Sequence, residues 1–212
     1  EGELFTFFPY GSKFPSGQVA KIPAGTHVLP AGAFGISEIA AISPVGNLAA
    51  VSVYTRTFYN SEARYEIWVN LMDVLSRNGV ATLEGYSNPI SAIAFSPDGT
   101  ILGTGSIDGT VKLWAVNTRR ELATLSGHAS DVMALAFSPD GTRLATGSAE
   151  GVIKLWDMTT KMELISLRGH TDQVTSVAFS PTEEMLASTS LDGTVRFWRA
   201  ATKEEVAARR RQ

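Results

Sequence analysis

The sequence predicts an all-β fold of radially arranged, four-stranded antiparallel sheets, and three observations carry that prediction. A phrase returns at a fixed interval: "GYSNPISAIAFSPDGTILGTGSIDGTVKLWA" from Gly85, "GHASDVMALAFSPDGTRLATGSAEGVIKLWD" from Gly127, and a third copy opening "GHTDQVTSVAFS" at Gly169. The interval is 42 residues both times, and Trp114, Trp156 and Trp198 keep it. Within each copy, apolar residues alternate with small or polar ones over short runs bounded by Gly, Pro, Asp and Ser, which is strand patterning. A unit of about 40–45 residues holding four short strands is the blade of a β-propeller.

Each element of the unit has its own signal. "VTSVAF" alternates over six residues as a first strand, "SPDG" or "SPTEE" turns the chain, and "LATGS" follows as a second strand. A tight turn, "IDG" or "LDG", leads into "TVKLW", and "RELATL", "MELISL" or "EEVAAR" supplies the fourth strand. Gly109, Gly151 and Gly193 stand five residues before their tryptophans, where a tight hairpin needs positive φ. Phe95, Phe137 and Phe179 end the first strands and are expected to face the core.

Upstream lies a worn copy, "ISEIAAISPVGNLAAVSVYTRTFYNSEARYEIWV", which keeps a Ser43-Pro44 turn and Trp68. From Ile42 to Phe95 is 53 residues rather than 42. Most of the excess falls in residues 54–66 and the rest around 75–79, and an insertion between readable strands is expected to be a surface loop. The chain therefore divides into residues 1–34, a Gly-, Pro- and aromatic-rich arm or blade remnant, and blades at 35–84, 85–126, 127–168 and 169–212. About four blades make a partial ring, or half of a larger one. A blade buries its faces against two neighbours, so the ring must close or leave apolar surface wet. A second copy of the chain, a longer protein, or a different subunit could each close it.

Composition excludes several functions. A net charge of −3 and a pI near 5.7 leave no broad basic field, so nucleic acid is not an expected partner. The basic run Arg209-Arg210-Arg211 reads as a solvated tail. No apolar run is long enough to span a bilayer, so direct membrane insertion is not expected. There are no cysteines, which removes disulfides and thiolate chemistry and leaves the compartment open. His27 has no acidic or histidine neighbour at ligand spacing, and neither a metal nor a cofactor is expected.

The Gly-His openings at 127–128 and 169–170, the turns "SPDG", "SPDG" and "SPTE", and the "LWD" ending at 155–157 resemble the WD-repeat β-propellers. His170, Ser190 and Asp192 are on paper a hydrolase triad. Yet the set recurs as His128, Ser148 and Glu150, and Ser190 lies in a strand pattern rather than on a strained nucleophile turn. The resemblance implies instead a structural hydrogen-bonded set of His170, Ser190, Asp192 and Trp198, which would satisfy a buried indole. On that reading the last blade alone has the full set. The middle blade carries His128, Ser148, Glu150 and Trp156, with glutamate in place of aspartate, and the earlier one has Tyr86 with Ser106, Asp108 and Trp114.

The resemblance further implies a non-catalytic protein-binding scaffold or assembly subunit that docks partners on the loops before the first strand and between the second and third. Candidate partner-binding residues there are Tyr86, Asn88, Asp131, Asp172 and Gln173. Tyr54, Phe58, Tyr59 and Tyr65 in the insertion form a second candidate, because clustered aromatics favour interfaces. The alternatives are a sensing or targeting module of a larger signalling protein and a metal-assisted hydrolase in the propeller channel.

Overall fold

The computed structural model describes residues 34–59, 62–76, 78–182 and 184–199, with side chains described for 39–54 and from Glu66 onward within those ranges. Every regular element among them is a strand. The first sheet runs β1 (Phe34–Ile42), β2 (Leu48–Tyr59), β3 (Glu62–Asp73) and β4 (Gly79–Leu83). The second is β5 (Ile90–Phe95), β6 (Ile101–Ser106), β7 (Val111–Ala115) and β8 (Arg120–Leu125). The third is β9 (Val132–Phe137), β10 (Arg143–Ser148), β11 (Val152–Asp157) and β12 (Glu163–Arg168). The fourth contains β13 (Val174–Phe179), β14 (Met185–Ser190) and β15 (Val195–Arg199). Strands pair antiparallel in sequence order in each sheet. The arm before Phe34, His27, the expected fourth strand of the last blade and the Arg209–Arg211 run lie outside the described residues.

Local chemistry fixes the turns. In "SPDG", Asp98 Oδ1 accepts from Ser96 Oγ at 2.6 Å and from Thr100 N at 3.1 Å, and Asp140 repeats the arrangement with Ser138 and Thr142. The glycines of the second-to-third turns take φ of 81°, 78° and 79° at Gly109, Gly151 and Gly193, where a side chain would strain the backbone.

The insertion in the first blade is not a loop. β2 and β3 stay paired from Leu48↔Asp73 to Tyr59↔Glu62, so the extra residues lengthen the hairpin itself. "VSVYTRTFY" is rich in β-branched and aromatic residues, which suit a pleated strand. The side chains of Phe58, Tyr59 and Tyr65 are outside the described ones. Tyr54, expected as a partner contact, is half-buried and packs against the cluster between the first two sheets.

The core lies between sheets. Leu71 and Leu83 of the first sheet join Phe95 and Leu102 of the second. Val111 and Leu113 meet Val132, Leu144 and Trp156 of the third, and Ile153 meets Val174 and Leu186 of the fourth. Each fully buried aliphatic side chain contributes about 1.5–3 kcal/mol. Close approach depends on small residues: a Cβ at Gly105 would lie 2.7 Å from Val132 Cγ1, and one at Gly147 2.5 Å from Val174 Cγ1. Of the expected core phenylalanines Phe95 is buried, whereas Phe137 and Phe179 are half-buried.

The sheets form an open arc, and the first and last make no substantial contact. Among the described residues, nothing covers the outer faces of the two end sheets. Val195 and Phe197 of β15 are 59% and 68% exposed, whereas Val111 and Leu113, 84 residues earlier, are fully buried. At the other end Ile42 is 72% exposed, in the place that Phe95 holds at 8% in the second sheet.

Candidate functional site

Two polar relays sit under the tryptophans. In the fourth sheet His170 Nδ1 lies 2.9 Å from Asp192 Oδ2 and His170 Nε2 lies 2.8 Å from Ser188 Oγ. Trp198 Nε1 donates to the same Ser188 oxygen at 2.8 Å. The third sheet repeats this with His128, Glu150 at 3.2 Å, Thr146 at 2.7 Å and Trp156 at 2.9 Å.

The hydroxyl is therefore not the one expected from the sequence. Ser190 instead donates to Asp172 O and accepts from Asp192 N, Ser148 donates to Val152 O, and Ser106 accepts from Asp108 N. Register gives the reason. Trp198 pairs opposite Leu186, so Ser188 is its diagonal neighbour on one face, while Ser190 stands about 6.8 Å further along the strand. The turn positions are serine in all three sheets, whereas the relay positions vary as Thr104, Thr146 and Ser188. Nor is the fourth sheet alone in completing the set. The longer Glu150 reaches its imidazole and accepts from Ala129 N, as Asp192 accepts from Thr171 N.

The second sheet is incomplete. Tyr86 OH lies 3.2 Å from Thr104 Oγ1, and Asn88 Nδ2 donates to Asp108 Oδ2 at 3.2 Å, so two residues divide what one histidine does elsewhere. The Tyr86 and Trp114 rings lie 5.6 Å apart, but buried Trp114 Nε1 has no hydrogen-bond acceptor among the described residues. Burial pushes the Tyr86 hydroxyl pKa up. Tyr86→His is expected to complete the relay and stabilise the chain by about 1 kcal/mol, a rise of roughly 2–4 °C in thermal midpoint. An unchanged or lower midpoint in a scanning melt would count against this.

Hydrogen-bond directions in the relay close in one way. The indole N–H donates to the hydroxyl, the hydroxyl donates to Nε2, and Nδ1–H donates to the carboxylate. A proton on His128 Nε2 would displace the Thr146 hydroxyl hydrogen onto Lys154 O, 3.4 Å away. Burial indeed holds the His128 imidazole below its ordinary value of 6.5, more strongly than Glu150 raises it. Between that lowered value and 6.5 the unfolded chain binds more protons, so stability falls as pH drops through 6.5. Melts from pH 7 to 5.5 are expected to show a falling midpoint, with a shallower slope in His128→Gln. The hydroxyl of Thr194, first among several donors, holds Asp192 well below the usual carboxylate range, so its contribution is lost only at much lower pH.

Chemically, Ser188, His170 and Asp192 have the spacing of a nucleophile, base and orienting acid. Ser188 is 2% exposed, however, and its oxygen already holds an indole N–H. Among the described residues no group of three His, Cys, Asp or Glu side chains could hold a metal ion, and no helix is long and apolar enough to cross a membrane. A cleft of about 440 Å³ between the third and fourth sheets, lined by Leu167, Phe179, Leu186 and Trp198 among others, lies by the Ser-Pro turns, away from the relay turns.

The loops of the opposite end are pinned by main-chain bonds that repeat in the second, third and fourth sheets: Ile107 N to Pro89 O, Ala149 N to Asp131 O, and Leu191 N to Gln173 O. Asp172 is exposed, and Asn88, Asp131 and Gln173 are half-buried.

A family model described as "WD domain, G-beta repeat" matches residues 77–115, 119–157 and 161–199, more than half of the chain. The chain belongs to the WD40 repeat family. Each matched WD40 segment starts one strand before its sheet, so residues 77–115 take in β4 with β5–β7. The Trp-Asp pair survives only at Trp156-Asp157, where Asp157 Oδ1 accepts from Thr159 N and Thr160 N and holds the following turn. A serine-threonine kinase receptor-associated protein of Dictyostelium discoideum is 37% identical over 49 residues, 23% of this chain and 17% of its own length. Pre-mRNA-processing factor 19 of Oryza sativa subsp. japonica is 43% identical over 54 residues, 26% of this chain and 9% of its own. The crystal structure of RRP9 WD40 repeats superposes with a TM-score of 0.55 at 30% identity, covering 58% of this chain and 38% of that one. The chain thus matches well under half the length of each of these proteins.

Proposed function

We propose that this WD40 chain is a non-catalytic protein-binding scaffold whose buried relays hold its sheets, and whose pinned loop end docks partner segments. The observation that carries the reading is a fixed main chain beneath changing side chains. The same backbone bond recurs three times under loops that present Asn88, then Asp131, then Asp172 and Gln173. A repeated frame with non-repeated tips is suited to recognition. In the relays, recurrence in two sheets and burial of both hydroxyls support architecture over catalysis.

The loop segments of the second, third and fourth sheets at this end are also acidic in sequence, although the Arg196 and Lys154 side chains reach Gly169 and Gly127. Asp108, Asp131, Glu150, Asp172 and Asp192 lie there, and residues 85–90, 106–110, 127–131, 148–151, 169–173 and 190–194 contain no Lys or Arg. A basic peptide segment is the partner that such a field favours. The name of the rice relative weakens the expectation that nucleic acid is no partner, so both are tested. Fluorescence anisotropy with a Lys/Arg-rich peptide should show binding that weakens with salt. The double variant Asp131→Asn and Asp172→Asn should bind about tenfold more weakly with an unchanged melt. Equal binding by that variant, or preference for an RNA oligonucleotide over the peptide, would refute the reading.

A further inference from the structure

We infer that the second sheet carries a pocket for one arginine side chain of a partner segment, at the place where the third and fourth sheets close their relays. That segment is the basic peptide proposed above, on which this reading rests. The pocket measures about 230 Å³ and is lined by Tyr86, Asn88, Asp108, Thr110, Lys112 and Thr124 among others. Pockets for drug-sized molecules run to about 300–1,000 Å³, so this one suits a single side chain.

One change of residue opens it. In the third and fourth sheets the glycine before the relay histidine packs down on its own sheet. A Cβ at Gly127 would lie 3.6 Å from Lys154 Cε and Trp156 Cη2, and one at Gly169 3.0 Å from Trp198 Cη2. A Cβ at Gly85 meets nothing within 4 Å. Tyr86 is longer than histidine, so its hydroxyl reaches Thr104 Oγ1 while the loop stands off the sheet. No bond joins Tyr86 to Asp108, which Asn88 holds instead. The Lys112 side chain is accordingly 21% exposed, against 10% for its counterpart Lys154. Trp114 Nε1 is buried without an acceptor among the described residues, so the relay that closes this place elsewhere is not formed here.

Hydrogen-bond polarity selects the ligand. The Thr110 hydroxyl donates to Asp108 Oδ1 at 2.6 Å, and the Thr124 hydroxyl to Glu121 Oε1 at 2.5 Å. Lys112 Nζ is turned to Glu121 Oε2, 2.6 Å away, and to Thr124. Asn88 gives an amide N–H to Asp108 Oδ2, which accepts no other bond among the described residues. The donors around the pocket are thus mainly engaged with one another, and lone pairs are left on Asp108, Asn88, Thr110 and Thr124. In the third and fourth sheets the matching carboxylates, Glu150 and Asp192, are taken by His128 and His170. A donor-rich cation is what such acceptors hold. Lys112 does not oppose it, because Glu121 neutralises that ammonium and Asp108 leaves the surroundings net negative. The acceptors stand on a loop, a turn and two strands. A planar fork of N–H donors reaches more of them than a compact ammonium does, which favours arginine over lysine.

The test is fluorescence anisotropy with two labelled peptides, identical but for arginine or lysine at every basic place. The arginine peptide is expected to bind about tenfold more tightly. Thr124→Leu fills the pocket from an exposed place on β8, and Tyr86→His lets the loop close as it does at His128. Each should abolish the preference and leave binding of the lysine peptide unchanged, and either suffices if the other fails to fold. Tyr86→His should do so with a raised thermal midpoint, which a loss through unfolding would not give. Equal affinities for the two peptides, or a preference that survives the substitutions, overturn the inference and leave the acidic loop end standing. If neither peptide binds, the acidic docking surface fails, and ethylguanidinium reads the pocket by itself. In proton–nitrogen correlation spectra it should shift the amides of residues 85–88 and 108–112 saturably, and not those of the matching residues 127–130 and 150–154. No shift, or equal shifts in both sets, overturns the pocket.

Discussion

Gly151→Ala is expected to destabilise the chain by about 2–4 kcal/mol, from two costs that act together. The residue takes φ of 78°, and an L side chain in that region costs about 1–2 kcal/mol. The added Cβ would also lie 2.8 Å from His170 O and 3.1 Å from Asp172 O. Those oxygens are backbone, fixed by the loop that carries the relay histidine, so the strain is relieved only by parting the third and fourth sheets. Gly193→Ala separates the two costs. Its φ is 79° with no described atom within 4 Å of an added Cβ, so it should cost only about 1–2 kcal/mol. Urea unfolding of both variants checks this, and equal losses would show that the sheets are not as closely apposed as described.

Ser188→Ala is the second large effect. It removes one oxygen and leaves the buried His170 Nε2 and the half-buried Trp198 Nε1–H without their partner. An unsatisfied buried group costs about 1–3 kcal/mol, so a loss of roughly 2–4 kcal/mol is expected. Ser190→Ala loses bonds to Asp172 O and Asp192 N at a partly exposed turn, with about 1 kcal/mol at stake. Ser188→Thr should stay within about 1 kcal/mol of the parent, because Thr146 makes the same bonds in the third sheet. Chemical denaturation of the three variants gives the order, and a greater loss in Ser190→Ala than in Ser188→Ala would restore the serine first read from the sequence.

Repeat spacing alone does not distinguish Ser188 from Ser190. Residues 188 and 190 lie on the same face of one strand, so a period of two cannot choose between them; the choice depends on which stands diagonal to Trp198 across β14 and β15. Histidine, acid and indole were legible because each is chemically distinctive and recurs in place. The hydroxyl was not, since either Ser or Thr supplies it. Similarly, residues 54–66 counted as excess in a repeat, and only pairing with β3 shows them as a longer hairpin.

By itself, the sequence determined the sheets and their order. A 42-residue beat, period-two alternation and glycine-bearing turns are local signals, and each strand pairs with its immediate neighbour in the chain. Tertiary structure decided the contacts across strands and between sheets: which hydroxyl meets the indole within a sheet, and which small residues admit a facing valine from the next. Those are distances between side chains on different strands, from Ser188 and Trp198 within one sheet to Gly105 and Val132 on two. They are set by how closely two curved surfaces approach, a quantity that no local pattern encodes.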